Sequence, residues 1–250
     1  MSSYETFSEV YDEFMDNLPY DEWVEYMDML LKEQGVKPGA LLMELGCGTG
    51  KVTEMFYDRG YKMVGLDLSA DMLGIAMDKG RSKDGEILYL LQDMTEMELY
   101  GTFDAFYSIG DSMNYILEPE SLTRVFSLVN NYLEPGGVFI FDLKTQYLFE
   151  EIMADNTFAD DREEISFIWD NYYYEEEKIN EYGVNIFLRG EDGRYDKFME
   201  THYQKAYSVE EIRKMIEASG LTFVAVYDAF TKDAPKADSE RLYYIAKKEQ

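Results

Sequence analysis

Short apolar runs alternate with amphipathic stretches through the first ~150 residues, the pattern that builds a parallel sheet covered by helices. Strands are predicted at 41–45 (LLMEL), 62–67 (KMVGLD), 86–91 (EILYLL), 103–109 (FDAFYSI) and 137–142 (GVFIFD). Between them, Ser69 is placed to cap a helix with Asp71 in its first turn and Met72, Leu73 and Ala76 on its apolar face. Leu122, Val125, Phe126, Val129 and Leu133 recur at helical spacing, and the helix they form should stop at the turn Pro135-Gly136-Gly137. After residue 150 the pattern changes. Segments 164–175, 179–190 and 194–206 are aromatic and β-prone, with a hairpin turn predicted at 190–193. A capping box at Ser208 and Glu211 opens a helix that Gly220 ends, and strands at 221–228 and 241–247 return the chain to the α/β pattern. The expected layout is a core at 1–150, an antiparallel insertion at 151–206 and a return to the core at 207–250.

Composition narrows what this fold can do. With 46% hydrophobic and 16% aromatic residues in 250, the chain has ample material for a packed core. A single cysteine, Cys47, rules out an intrachain disulfide, and with one histidine it leaves too few soft ligands for a structural zinc site. A magnesium site built from carboxylates stays open. The net charge of −28 repels phosphate backbones, so nucleic acid is not an expected partner. No apolar run is long enough to span a bilayer, and the acidic, aromatic opening lacks the form of a signal peptide, so a cytoplasmic location with no membrane partner is expected.

The strongest chemical signal is Glu44-Leu45-Gly46-Cys47-Gly48-Thr49-Gly50, at the end of the first predicted strand. Glycines there let the backbone turn sharply and approach a ligand closely. The loop fails the dinucleotide fingerprint, because the sixth position from Gly46 is Lys51, and it fails the triphosphate loop, because Val52 follows Gly50-Lys51. Glycines at alternating positions suit a ligand without a pyrophosphate, such as an adenosyl group joined to an amino acid. Asp67, at the end of the second strand, can accept hydrogen bonds from ribose hydroxyls. Asp93, after the third, can accept from an adenine amino group while Leu68 and Met94 contact the ring. Each acid alone reads as a solvated strand end; three successive carboxyl ends together mark one crevice.

As a set, these residues resemble the class I S-adenosylmethionine-dependent methyltransferases over residues 40–145. The resemblance implies a Rossmann-like, seven-stranded, mostly parallel sheet whose last strand is antiparallel, with helices on both faces and a small antiparallel β insertion. It implies Gly46 and Gly48 beside the cofactor, Glu44 near its aminoacyl end, Asp67 on the ribose and Asp93 at the adenine. Cys47, Leu68, Met72, Gln92, Met94 and Ile109 complete the expected cofactor-binding set. The segments Phe7-Ser8-Glu9-Val10-Tyr11-Asp12, Tyr20-Asp21-Glu22-Trp23, Asp111-Ser112-Met113-Asn114-Tyr115 and Glu200-Thr201-His202 are similar to a bacterial, small-molecule-type subgroup. In that subgroup an N-terminal helix covers the cofactor, which would bring Tyr11 and Tyr20 against it.

The implied activity is in-line transfer of a methyl group to a nitrogen or oxygen of a small-molecule acceptor, which demands alignment and exclusion of water more than a dedicated base. Asp111 and His202 are the catalytic candidates, the imidazole because it exchanges protons near neutrality. Asn114, Asp142, Lys144, Trp169 and Tyr203 are further acceptor-side candidates. Trp169, Tyr172, Tyr173 and Tyr174 are read either as a cage for an ammonium group or as packing for the core or for a homodimer through the insertion. Gly110-Asp111-Ser112-Met113 stands where DNA amino-methyltransferases place Asn/Asp-Pro-Pro-Tyr/Phe, which disfavours that class. Two other readings stay open: a protein that binds the cofactor without turnover, and a methyltransferase acting on a protein partner.

Overall fold

A computed structural model describes residues 19–80, 87–190 and 192–250. Tyr11 and the Phe7–Asp12 segment lie outside the described residues. Eleven strands among them form two sheets. The larger has the order β10-β11-β5-β4-β1-β2-β3, built from β1 (Leu41–Leu45), β2 (Lys62–Asp67), β3 (Leu88–Leu91), β4 (Phe103–Ser108), β5 (Leu133–Lys144), β10 (Thr222–Asp228) and β11 (Arg241–Lys247). β1 pairs in parallel with β2 and β4, and β4 with β5, while β11 runs antiparallel to both β5 and β10. This is the seven-stranded, mostly parallel sheet expected, with its antiparallel last strand.

Both faces of the sheet are covered. On one lie α1 (Tyr20–Glu33), α2 (Lys51–Asp58) and α3 (Ala70–Gly80), through Val24, Met27, Val52, Phe56, Leu73 and Ala76. On the other lie α4 (Pro119–Tyr132) and α5 (Val209–Ala218), through Leu122, Val125, Phe126, Ile212 and Ile216. Because strand side chains alternate, β5 sends Phe139, Phe141 and Leu143 into one layer and Val138 and Ile140 into the other. That two-sided burial explains the uninterrupted apolar run in its sequence.

Three expectations are revised. β5 starts at Leu133, so Pro135-Gly136-Gly137 lies inside a strand and not in a separating turn. The backbone there is held by Gly136 N–H on Lys248 and by Lys248 N–H on Gly137, pairing that arises from the far end of the chain. β3 begins at Leu88, two residues later than predicted. An additional strand, β6 (Thr157–Asp161), lies where none was expected; it is almost wholly exposed and exists by backbone pairing to its neighbour, so no hydrophobic alternation announces it.

The second sheet runs β6-β7-β8-β9, all antiparallel, with β7 (Ile165–Tyr174), β8 (Ile179–Arg189) and β9 (Tyr195–Lys205). Ile165, Tyr182, Val184 and Ile186 form its buried face. Asn114 ties it to the core: its amide donates to the carbonyls of Lys205 (2.9 Å) and Lys144 (3.3 Å) and accepts from Lys144 N–H (3.0 Å). Tyr115, in the turn Ser112–Tyr115, adds a hydroxyl contact of 2.7 Å to Tyr182. The capping box opening α5 forms as expected, with the Ser208 hydroxyl accepting from Glu211 N–H. No helix among the described residues is long and apolar enough to cross a membrane.

Candidate functional site

The loop after β1 is shaped by backbone contacts to β2. Gly46 and Cys47 N–H both donate to the carbonyl of Leu66, at 2.8 and 3.0 Å. Gly46 has φ +75°, and a Cβ there would come within 2.3 Å of the Ser112 hydroxyl oxygen, so only glycine lets the turn after β4 close over the loop. Gly48 is the opposite case: at φ +52°, a Cβ would meet nothing within 4 Å. It leaves the loop backbone facing open space, a cradle that a ligand can enter. Asp67 spans the loop and the next helix, with Oδ2 accepting from Gly48 N–H (2.7 Å) and Oδ1 from Ser69 N–H (2.8 Å). Ser69 in turn accepts from Met72 N–H, the predicted cap of α3.

Glu44, Gly46, Cys47, Gly48, Asp67, Leu68, Met72, Gln92, Asp93, Met94, Ile109 and Tyr20 all line one cavity of about 1200 Å³, which also takes in Asp111 and His202. Of the expected cofactor set only Tyr11 is unplaced. Leu68 is 69% exposed, an apolar side chain left uncovered at the edge of this space. Asp93 accepts two bonds from Thr95, both on Oδ1. Gln92 spends its amide within the neighbouring loop, donating to the Glu98 carbonyl and accepting from Glu98 N–H. Glu44 is buried, with hydroxyls of Thr53 and Tyr107 donating to one carboxylate oxygen. Burial outweighs those bonds and lifts its carboxyl to about 8; burial, with the nearby Glu44 and Asp67, also pushes the Cys47 thiol up. Tyr20 stands in edge contact with Trp23, and the Lys51 ammonium lies 4.1 Å from the Tyr20 ring.

At the far end of the cavity, four charges alternate. Asp111 meets Arg241 at 2.5 Å and Lys144 at 2.8 Å, and Arg241 also pairs with Asp142. Burial raises the Asp111 carboxyl, but Arg241 and then Lys144 outweigh it and hold the group at about 2. Asp111 has the left-handed backbone angle φ +74°, and its N–H and that of Gly110 point at the Asp142 carboxylate, at 3.4 and 3.3 Å. This is an anchored carboxylate, not one poised to take a proton.

The second sheet closes the same space. His202 stacks on Tyr182, with ring centres 5.2 Å apart, and its Nε2 meets Glu200 Oε2 at 3.1 Å while Nδ1 lies 3.5 Å from the Tyr115 hydroxyl. Trp169 and Phe167 line the cavity too. Tyr172, Tyr173 and Tyr174, read either as part of a cage or as packing, are not among its lining residues. Strand alternation turns Tyr172 and Tyr174 outward, exposed, as it does Tyr203 beside His202, and Tyr173 packs near Phe149 and Glu150. Arg241 and Glu200 were not among the candidates read from sequence. Arg241 acquires its role from partners 99 and more residues away, and Glu200 was legible only as part of the Glu-Thr-His segment.

Comparison with known proteins agrees with this geometry. A family described as methyltransferase domain matches residues 42–137, which holds the glycine loop and both strand-end acids. YqeM of Bacillus subtilis (strain 168), named as a candidate methyltransferase, is 35% identical over 246 residues, covering 98% of this chain and 97% of that protein. A crystal structure of an S-adenosylmethionine-dependent methyltransferase from Clostridium acetobutylicum ATCC 824 superposes with a TM-score of 0.87 at 28% identity, each chain covered completely. The sugar N-methyltransferase KedS8 from Streptoalloteichus sp ATCC 53650 shares the fold, with TM-score 0.79, 18% identity and coverage of 96% of this chain and 93% of that one. The chain belongs to the class I S-adenosylmethionine-dependent methyltransferases. S-adenosylmethionine is its cosubstrate.

Proposed function

We propose that this methyltransferase acts on a small molecule, enclosed between the cofactor crevice of the large sheet and the inner face of the second sheet. The observation that carries the reading is the continuity of one cavity of about 1200 Å³ from the Gly46–Gly48 loop to His202 and Trp169. Ligand cavities commonly run to about 300–1,000 Å³, so this one has room for a nucleoside-sized cosubstrate and a modest acceptor together. The sugar-modifying activity of KedS8 is in keeping with such an acceptor. On this reading the chain divides into a cofactor core (1–150 with 207–250) and an acceptor cover (151–206).

The residues present suit the cosubstrate. Gly48 leaves the loop open; on this reading Asp67 takes the ribose hydroxyls, and Asp93 with Leu68 and Met94 takes the adenine, as one hydrogen-bond acceptor among apolar contacts. Glu44, buried beneath the loop, is assigned on the same reading to the aminoacyl end. When bound, S-adenosylmethionine supplies a methyl carbon activated by a positive sulfur. The chain's own work is alignment and exclusion of water. His202, held by Glu200 and stacked on Tyr182, is the group placed to take a proton from the acceptor nitrogen or oxygen. Asp111 is a positioning residue that orders Lys144 and Arg241 at the floor of the chamber. Ile168 and Met199 in one row and Tyr172 and Tyr203 in another, all exposed on the outer face of the second sheet, are the surface this reading gives to a homodimer.

Isothermal titration with S-adenosylmethionine and S-adenosylhomocysteine tests the cofactor half. Asp67→Ala removes a charged acceptor of two backbone bonds and should weaken binding by about 10- to 100-fold. Transfer of a labelled methyl group to a panel of small amines and alcohols, set against peptides, tests the acceptor half. Labelling of peptides alone would overturn the small-molecule reading.

A further inference from the structure

Among the described residues, three buried polar atoms on the inner face of the second sheet have no hydrogen-bond partner, Asn180 Oδ1, Glu200 Oε1 and Trp169 Nε1, and the last two belong to residues that line the cavity. Phe198, Glu200, His202 and Gln204 alternate inward along β9. The register sets Glu200 opposite Val184, and Val184 opposite Trp169, so Trp169 and Glu200 stand in one row, two strands apart. With strands about 4.8 Å apart, their backbones are roughly 10 Å from each other, a span that a small molecule bridges. Glu200 is only 8% exposed. Its Oε2 faces His202, but Oε1 is buried with no hydrogen-bond partner among the described residues, and so is the indole Nε1 of Trp169. Both residues line the cavity. Folded proteins leave few buried polar atoms unmatched, and two on one face of one cavity, one acceptor and one donor, mark a place for a ligand.

The charges nearby say which ligand. Lys144 is engaged by Asp111 at 2.8 Å and by Gln204 at 3.2 Å, and Arg241 by both aspartates. Neither cation is left to offset Glu200. A group that meets Oε1 must bring N–H and, best, positive charge, and a group that meets the Trp169 N–H must bring an oxygen. Resting on the methyltransferase reading, we propose that Glu200 and Trp169 are the acceptor-recognition pair and that the acceptor is a small amine bearing a neighbouring hydroxyl, an amino alcohol. The ammonium donates to Glu200 Oε1, and the hydroxyl oxygen accepts from Trp169. With His202 Nε2–H donating to Glu200 Oε2, Nδ1 is the basic nitrogen, and it takes one proton from the ammonium. The freed lone pair bonds the methyl carbon as the electrons of the carbon–sulfur bond return to sulfur, leaving a neutral thioether and an N-methylated ammonium. The proton on His202 then passes to solvent.

Calorimetry on the whole protein, first saturated with S-adenosylhomocysteine, tests this with trans-aminocyclohexanol, cyclohexylamine and cyclohexanediol, backed by a panel of linear amino alcohols. The amino alcohol should bind about tenfold more tightly than either compound that carries one function alone. Glu200→Gln should erase the advantage over the diol and Trp169→Phe the advantage over the amine, while both variants bind S-adenosylhomocysteine as the wild type does. Equal binding of the three probes, unchanged selectivity in Glu200→Gln, or no binding by any amino alcohol to the product-saturated protein would overturn the proposal. Failure of the wild type to bind S-adenosylhomocysteine at all would instead strike the methyltransferase reading beneath it.

Discussion

Glu44 carries the clearest pH dependence of any single residue. Its carboxyl moves from 4.5 to about 8 because burial outweighs the hydrogen bonds from Thr53 and Tyr107. The folded chain therefore keeps a proton that the unfolded chain releases, so the stability it brings is full below pH 4.5 and is lost as pH rises through about 8. Glu44→Gln keeps the shape without the titration. Urea unfolding from about pH 5 to pH 8 should show the wild type losing stability relative to the variant by up to about 1.4 kcal/mol per pH unit. A difference that does not change with pH would contradict this account of Glu44.

Pairs of elements decide the other end of the site. β11 lies antiparallel to β5 with Arg241 opposite Lys144, which brings the arginine to Asp142 on β5 and to Asp111 after β4. Removing one partner from a buried network strands the others, at a cost of about 3–5 kcal/mol. Arg241→Met should lower stability by that order in chemical denaturation, and adding Asp142→Asn should recover part of the loss. A smaller effect is expected at the start of α5, where the Ser208 hydroxyl caps the helix. Ser208→Ala should cost about 1 kcal/mol in the same assay and leave cofactor binding unchanged.

Across the whole molecule, 51 acidic residues face 23 basic ones, a net charge of −28. Such an excess repels itself in the compact state. Raising salt from about 0.01 to 0.1 M shortens the screening length from about 30 to 10 Å, and the melting temperature should climb by about 2–4 °C, roughly 1 kcal/mol for a chain of this size. A melting temperature that falls with salt over this range would mean that attractive ion pairs, and not net repulsion, dominate the surface.

Local chemistry and periodicity by themselves determined the order of strands and helices in the large sheet, the glycine loop, and the acids at Asp67 and Asp93. Each of these rests on residues close in the chain: a two-residue alternation, a cap at Ser208, a glycine where the backbone must turn. The same reasoning missed β6, whose exposed residues carry no pattern, and misjudged Pro135-Gly136-Gly137, whose pairing comes from Lys248. It left open which of Trp169, Tyr172, Tyr173 and Tyr174 faces the site, because alternation separates inner from outer positions without saying which side meets the core. Only the tertiary structure decided that Trp169 does, that Asp111 is spoken for by Lys144 and Arg241, and that Glu200 stands behind His202. Those roles come from contacts between residues far apart in the chain, and long-range proximity is set by how the sheets pack, which no local pattern encodes.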